Sequence, residues 1–161
     1  MYTPETLVNG RYRIIRQMQE AGSETYQALD ESSQRPVTLQ VQAIPNESAR
    51  DRISHFAASF SEIRHAALPR LIEHFRDGDR YVLVTEQPGG RSFSERLQTQ
   101  GEPFPVSDVI RWGITLLDAI VALHRQTPTL PHGEISASNL YESESGQIVL
   151  AGIIPYSVGG T

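Results

Sequence analysis

The 161-residue chain has no cysteine, so neither a disulfide framework nor a thiolate metal site can form. The same absence leaves the redox compartment open. No apolar run approaches the ~20 residues that a membrane span requires. Met1 to Gly10 lacks the basic start and apolar centre of a signal peptide. Cytoplasm is therefore the expected location. An excess of positive charge is also missing. A net charge of −5 and a pI near 5.5 argue against nucleic acid or an anionic membrane as the main partner. There is no internal repeat and no low-complexity segment. What is present, 39% hydrophobic and 20% charged residues, suits one globular domain or one two-lobed unit. Near 150 residues roughly 68–70% of the unfolded surface is buried, enough for a sizeable core.

Periodicity predicts the elements. Tyr12 to Met18 and Thr25 to Leu29 read as short strands, joined by the polar segment Gln19 to Glu24. In Val37 to Ala43, Val37, Leu39, Val41 and Ala43 alternate with Thr38, Gln40 and Gln42, the pattern of a half-buried strand. Asn46 to His65 carries Ile53, Phe56, Phe60 and Ile63 in one stripe and predicts a helix. Leu68 to Phe75 and Tyr81 to Thr85 flank Asp77-Gly78, a hairpin signal. The simplest assembly of residues 1–86 is a five-stranded antiparallel sheet with one helix against it. Gln87-Pro88-Gly89-Gly90 then breaks the pattern as a linker, over residues 87–91.

Residues 92–161 form the second part. Ser92 with Glu95 three residues on is a capping-box pattern that predicts a short helix to Gln98. Ser107 is expected to cap a long helix to about Gln126, roughly 30 Å at 1.5 Å per residue. Its apolar positions (Val109, Ile110, Ile114, Leu117, Ile120, Val121 and Leu123) form a face broad enough to imply burial on more than one front. Leu130 to Ile154 follows as a loop, a short strand, a tight turn at Ser145-Gly146 and a second strand.

This last stretch carries His132, Glu134 and Asn139 at the spacing of H-x-D-x-x-x-x-N, followed by a strand and Gly152-Ile153-Ile154. It resembles the catalytic loop and metal-binding strand of a eukaryotic-type, bacterial-like Ser/Thr protein kinase, H-R-D-x-x-x-x-N followed by D-F-G. Arg11-Tyr12-Arg13-Ile14-Ile15, His65-Ala66-Ala67-Leu68 and Tyr81 to Glu86 are similar to further landmarks of that family, in order and at matching spacing. The resemblance runs from about Leu7 to Ile154. It implies an α+β, protein-kinase-like fold: a small lobe (1–86), a hinge (87–91) and an incomplete, mostly helical large lobe (92–161).

Position by position, the resemblance implies lost chemistry. Gln19, Ala21 and Ser23 stand at or near the phosphate-loop glycines, although a polar hairpin is the plainer reading of that segment. Gln40 stands for the strand lysine and Phe56 for its glutamate partner; Gln40 is equally a polar residue on the less buried strand face. Glu134 stands for the catalytic Asp, one methylene longer, and Gly152 for the metal-binding Asp. His132 fits a structural role in the loop. Asn139 either braces the loop or, with hinge residues Glu86 and Gln87, contacts a nucleotide if one binds. From these losses the expectation is a non-catalytic pseudokinase, not an enzyme, that acts as a scaffold, subunit or regulator. It would need no ATP, Mg²⁺ or other metal. A nucleotide-binding regulatory domain or a weakly active divergent Ser/Thr kinase is the alternative. A protein partner or a second copy is expected to cover the Ser107–Gln126 helix.

Overall fold

A computed structural model of the chain describes residues 1–18, 24–143 and 145–153. The phosphate-loop segment 19–23, Ile154 and the tail 155–161 lie outside the described residues. The chain divides into two compact units, Met1–Ser61 with Arg70–Gln87, and Glu62–Pro69 with Pro88–Thr161. The fold is protein-kinase-like, an α+β architecture.

The first unit is one antiparallel sheet of β1 (Leu7–Val8), β2 (Tyr12–Met18), β3 (Glu24–Asp30), β4 (Arg35–Ala43), β5 (Leu71–Asp77) and β6 (Arg80–Glu86). The strand order is β1-β2-β3-β4-β6-β5. Six strands replace the expected five, because Leu7 and Val8 pair with Arg13 and Tyr12. Two residues are too few to show an alternation. Strand period 2 places Tyr12 and Ile14, Tyr26 and Ala28, Val37, Leu39 and Val41, and Val82 and Val84 on one face, where they form a single core. Burial continues on the other face of β4: Val37 through Val41 are all buried, Gln40 included. The half-buried reading is corrected here, because β4 is an interior strand with neighbours on both sides.

Helix α1 (Glu47–Ser61) packs on β5 and β6. The Asn46 side chain accepts the Ala49 N–H at 2.8 Å and caps its start. Ile53, Phe56, Ala57 and Phe60 are buried, and the Phe56 and Phe60 rings stack at 5.9 Å. The helix ends at Ser61, short of the expected His65, and Ile63 is buried beyond it. At the far end of the sheet Arg11 holds the buried Asp30 through two bonds of 2.8 Å. That bidentate contact keeps the Asp30 carboxyl well below the usual range.

The second unit holds β7 (Arg91–Ser92), α2 (Phe93–Gln100), α3 (Val106–His124), β8 (Leu140–Glu142) and β9 (Ile148–Leu150). The short strands form a sheet in the order β7-β8-β9. The capping box at α2 is made: the Glu95 N–H donates to Ser92 Oγ at 3.2 Å, and the Ser92 N–H donates to Glu95 Oε2 at 2.9 Å. Phe93, Trp112 and Ile148 form the core, with Phe104, Leu116 and Leu140 against it. Arg96 lies over the Phe104 ring at 4.9 Å and pairs with Glu142. Helix α3 departs from expectation at its start. Pro105, not Ser107, stands at the cap, and no side chain caps the helix. Trp112, Ala119 and Leu123 are buried, whereas Val106, Val109, Ile110, Ile114, Leu117 and Val121 are exposed. Among the described residues, no helix is long and apolar enough to cross a membrane.

Candidate functional site

The second unit brings His132, Glu134, Asn139 and Gly152 together through one hairpin. The register Leu140↔Leu150 sets Asn139 opposite Ala151, and the Ala151 N–H donates to the Asn139 carbonyl at 2.8 Å. The Asn139 amide reaches back along its own loop, Nδ2 donating to the Glu134 carbonyl at 3.2 Å. This fixes the backbone of Glu134 relative to the hairpin. Asn139 Oδ1 is buried and has no partner among the described residues. Gly152 lies beside it with φ +76°; a Cβ there would come within 3.0 Å of the Asn139 amide. The glycine thus makes room for the asparagine, a relation that the hairpin register could have predicted from the Ser145-Gly146 turn.

His132 is buried beneath this loop, and its Nδ1 accepts the Glu134 N–H at 3.4 Å. Desolvation dominates its electrostatics and lowers its pKa to about 4, against the opposing pull of the Ala151, Leu150 and Glu134 backbone. The ring is therefore neutral at pH 7. Glu134 is half-buried, and its carboxylate makes no hydrogen bond or ion pair among the described residues. One oxygen acid and one amide oxygen thus stand unengaged on a single braced loop.

In the first unit Gln40 sits between Thr25 on β3 and Leu83 on β6. Its Oε1 is buried without a partner among the described residues. Thr25, Thr38 and Thr85 are buried polar neighbours on that sheet, so the environment of Gln40 is neutral and hydrogen-bonding. Phe56 belongs to the apolar stripe of α1 and offers no carboxylate. At the end of β6, Glu86 pairs with Arg70 at 3.3 Å, and its N–H donates to the Arg70 carbonyl at 3.0 Å. Gln87 carries a further buried, unpartnered Oε1, which its place in a linker does not announce. All fourteen cationic side chains of the chain are arginine, so no lysine exists to replace the one absent at position 40.

The residues offer little to divalent cations. Gly152 has no oxygen in its side chain, and no group of three His, Cys, Asp or Glu among the described residues could hold a metal. A pair of Mg²⁺ ions does not fit this donor set.

No protein-family model matches the chain. The chain is 25% identical over 150 residues to the human serine/threonine-protein kinase Nek11, covering 86% of this chain and 22% of that protein. It is 28% identical over 174 residues to serine/threonine-protein kinase C of Synechocystis, covering 99% of this chain and 32% of that one. For serine/threonine-protein kinase pkn2 of Myxococcus xanthus the values are 25% over 163 residues, 98% and 19%. The chain thus spans about a fifth to a third of these relatives. The Mycobacterium tuberculosis PknI kinase domain superposes with a TM-score of 0.78 at 15% identity, covering 98% of this chain and 64% of that one. Rad53 1-466 in complex with AMP-PNP superposes with a TM-score of 0.76 at 14% identity, covering 93% and 40%. These relatives overturn the expectation that the chain is not an enzyme. Each curated relative described above is named a serine/threonine-protein kinase, and the relationship points to a kinase.

Proposed function

The chain belongs to the Ser/Thr protein kinase family, and on that premise we propose that it is an adenine-nucleotide-binding module whose phosphoryl transfer to a Ser or Thr hydroxyl is weak. The observation that carries this reading is the braced loop 132–139. There a half-buried, unpartnered Glu134 carboxylate is tied through its backbone to Asn139. In that place Glu134 accepts the proton of the attacking hydroxyl. Its extra methylene shifts the carboxylate by about 1 Å, a displacement that costs on the order of 10²-fold in rate. Gln40 offers an amide to the nucleotide where a charge would bind phosphate more tightly, which lowers affinity as well. Asn139 Oδ1 and Gln87 Oε1 are further free acceptors for the nucleotide. A protein-binding role is the second part of the reading, favoured by the open apolar face of α3.

Thermal unfolding with and without millimolar ATP and Mg²⁺ tests the nucleotide. Saturation at 100 times the dissociation constant contributes about 2.7 kcal/mol, a shift of about 5–10 °C for a chain of this size. Slow transfer of phosphate to a Ser/Thr peptide is expected, and Glu134→Gln should remove it. Transfer that the variant leaves unchanged, or no shift and no transfer at all, overturns the reading.

A further inference from the structure

Helix α3 has two apolar faces, and the chain covers only one of them. Trp112, Ala119 and Leu123 face the core of the second unit. The other face is open: Val106, Ile110, Ile114 and Leu117 are 74%, 58%, 65% and 64% exposed, with Val109 and Val121 beside them. Six such side chains present on the order of 500 Å² of apolar surface, at the upper end of what a monomer leaves uncovered. Twice that is about 1,000 Å², the size at which a specific interface begins.

At the middle of this face stands Gly113. A glycine in a helix interior is unfavourable and has to be explained by something that approaches closely. Nothing in the chain does: a Cβ on Gly113 would meet no atom within 4 Å. The position therefore reserves space on the solvent side of the helix. The pattern around it is self-complementary. A two-fold axis between Gly113 and Ile114 sets Val106 against Val121 of a second copy, Ile110 against Leu117, and the large Ile114 into the gap over Gly113. Charge agrees with the same arrangement. Arg111 and Asp118 lie along one flank of the open face, and two antiparallel helices bring like flanks together, with Arg111 of each copy alongside Asp118 of the other. Within the chain these side chains hold only surface contacts, Arg111 to Asp108 at 3.0 Å and Asp118 to His65 at 3.2 Å.

We propose that the open face of α3 is the interface of an antiparallel homodimer, centred on Gly113 and Ile114 and flanked by Arg111–Asp118 pairs between copies. The inference stands on helix geometry and does not rest on the nucleotide reading.

Sedimentation or light scattering of the full chain at tens of micromolar is expected to give twice the 17.9 kDa mass. Leu117→Glu, at an exposed position, should raise the dissociation constant about 100-fold with the circular dichroism unchanged. Gly113→Leu fits the monomer, since the space there is open, but should block the second copy to a similar degree. If Leu117→Glu fails to fold, Gly113→Leu decides. Arg111→Glu and Asp118→Arg should each weaken the dimer about 10-fold, and the double exchange should restore it. A monomer at every concentration overturns the proposal. So does a dimer indifferent to Leu117→Glu and Gly113→Leu, which would place the interface elsewhere. Larger species that the double charge exchange does not restore to dimers overturn it too, as unspecific association of an apolar face.

Discussion

The first unit folds its apolar residues into itself, while the second leaves nearly as many outside as in. In the six-stranded sheet, Tyr12, Ile14, Tyr26, Leu39, Val82 and Val84 converge on one core, and Leu7 and Ile15 are its exposed large aliphatics. In the second unit, Phe93, Trp112 and Ile148 form a smaller core, and the aliphatic residues of α3 line a face in solvent. Binary patterning is satisfied in one and doubled in the other. Where a helix carries two apolar faces and its own chain has neighbours for one, the second is a specification for something else.

The largest effects should separate these two kinds of apolar residue. Leu39→Ala removes a fully buried side chain from the interior strand and is expected to lower unfolding free energy by about 2–5 kcal/mol. Ile114→Ala, measured in chemical denaturation under monomeric conditions, is expected to stay within about 0.5 kcal/mol. Equal losses at the two positions would erase the comparison.

A smaller effect is carried by pH. In the second unit, burial depresses His132 to about 4 against an unfolded value near 6.5. The unfolded chain binds the proton more readily, so this stabilisation is fully present above pH 6.5. It is lost as pH falls toward 4, at up to about 1.4 kcal/mol per pH unit. In the first unit, Asp30 is lowered by Arg11, so its contribution persists above the ordinary carboxylate range and is lost only as pH falls through and below it. Melting curves between pH 7 and 4 should therefore show a slope that His132→Gln flattens and Asp30→Asn does not. A slope unchanged in His132→Gln would assign it to another group.

The smallest effect concerns a cap. Ser92→Ala breaks the reciprocal bonds with Glu95 and is expected to cost about 1 kcal/mol. Ser107→Ala, at a serine without a capping bond, is expected to cost less than half of that. Denaturant midpoints of the two variants check the difference.

These two serines also show what the sequence could reveal. Ser92 was legible because a capping box is a local rule: the spacing to Glu95 contains the whole interaction. Ser107 obeyed the same rule of residue type, but Pro105, with its φ fixed near helical values, set the start two residues earlier. Strand alternation correctly divided the side chains of β4 between two faces, yet it carries no information on what covers the second face, so the burial of Gln40 was missed. The loop positions His132, Glu134 and Asn139 could be read from spacing to one another. The fit of Gly152 against the Asn139 amide could not, because it depends on a hairpin register and on a positive φ that residue identity only permits. Catalytic standing was the least legible. Counting absent groups predicted an inactive chain, while the relatives indicate descent among kinases, and no rule of residue chemistry contains descent.

Trp112 is the only tryptophan of the chain, and it is packed in the second unit between Phe93 at 4.6 Å and Phe104 at 5.1 Å, with the Arg96 guanidinium at 5.9 Å. Nature has thereby installed a single fluorophore in one unit and none in the other. Its emission reports the melting of the aromatic cage alone, whereas far-ultraviolet circular dichroism sums the backbone of both units. If the two signals trace one transition, the units unfold as one cooperative body; if they separate, the gap between the curves measures how far each stands on its own.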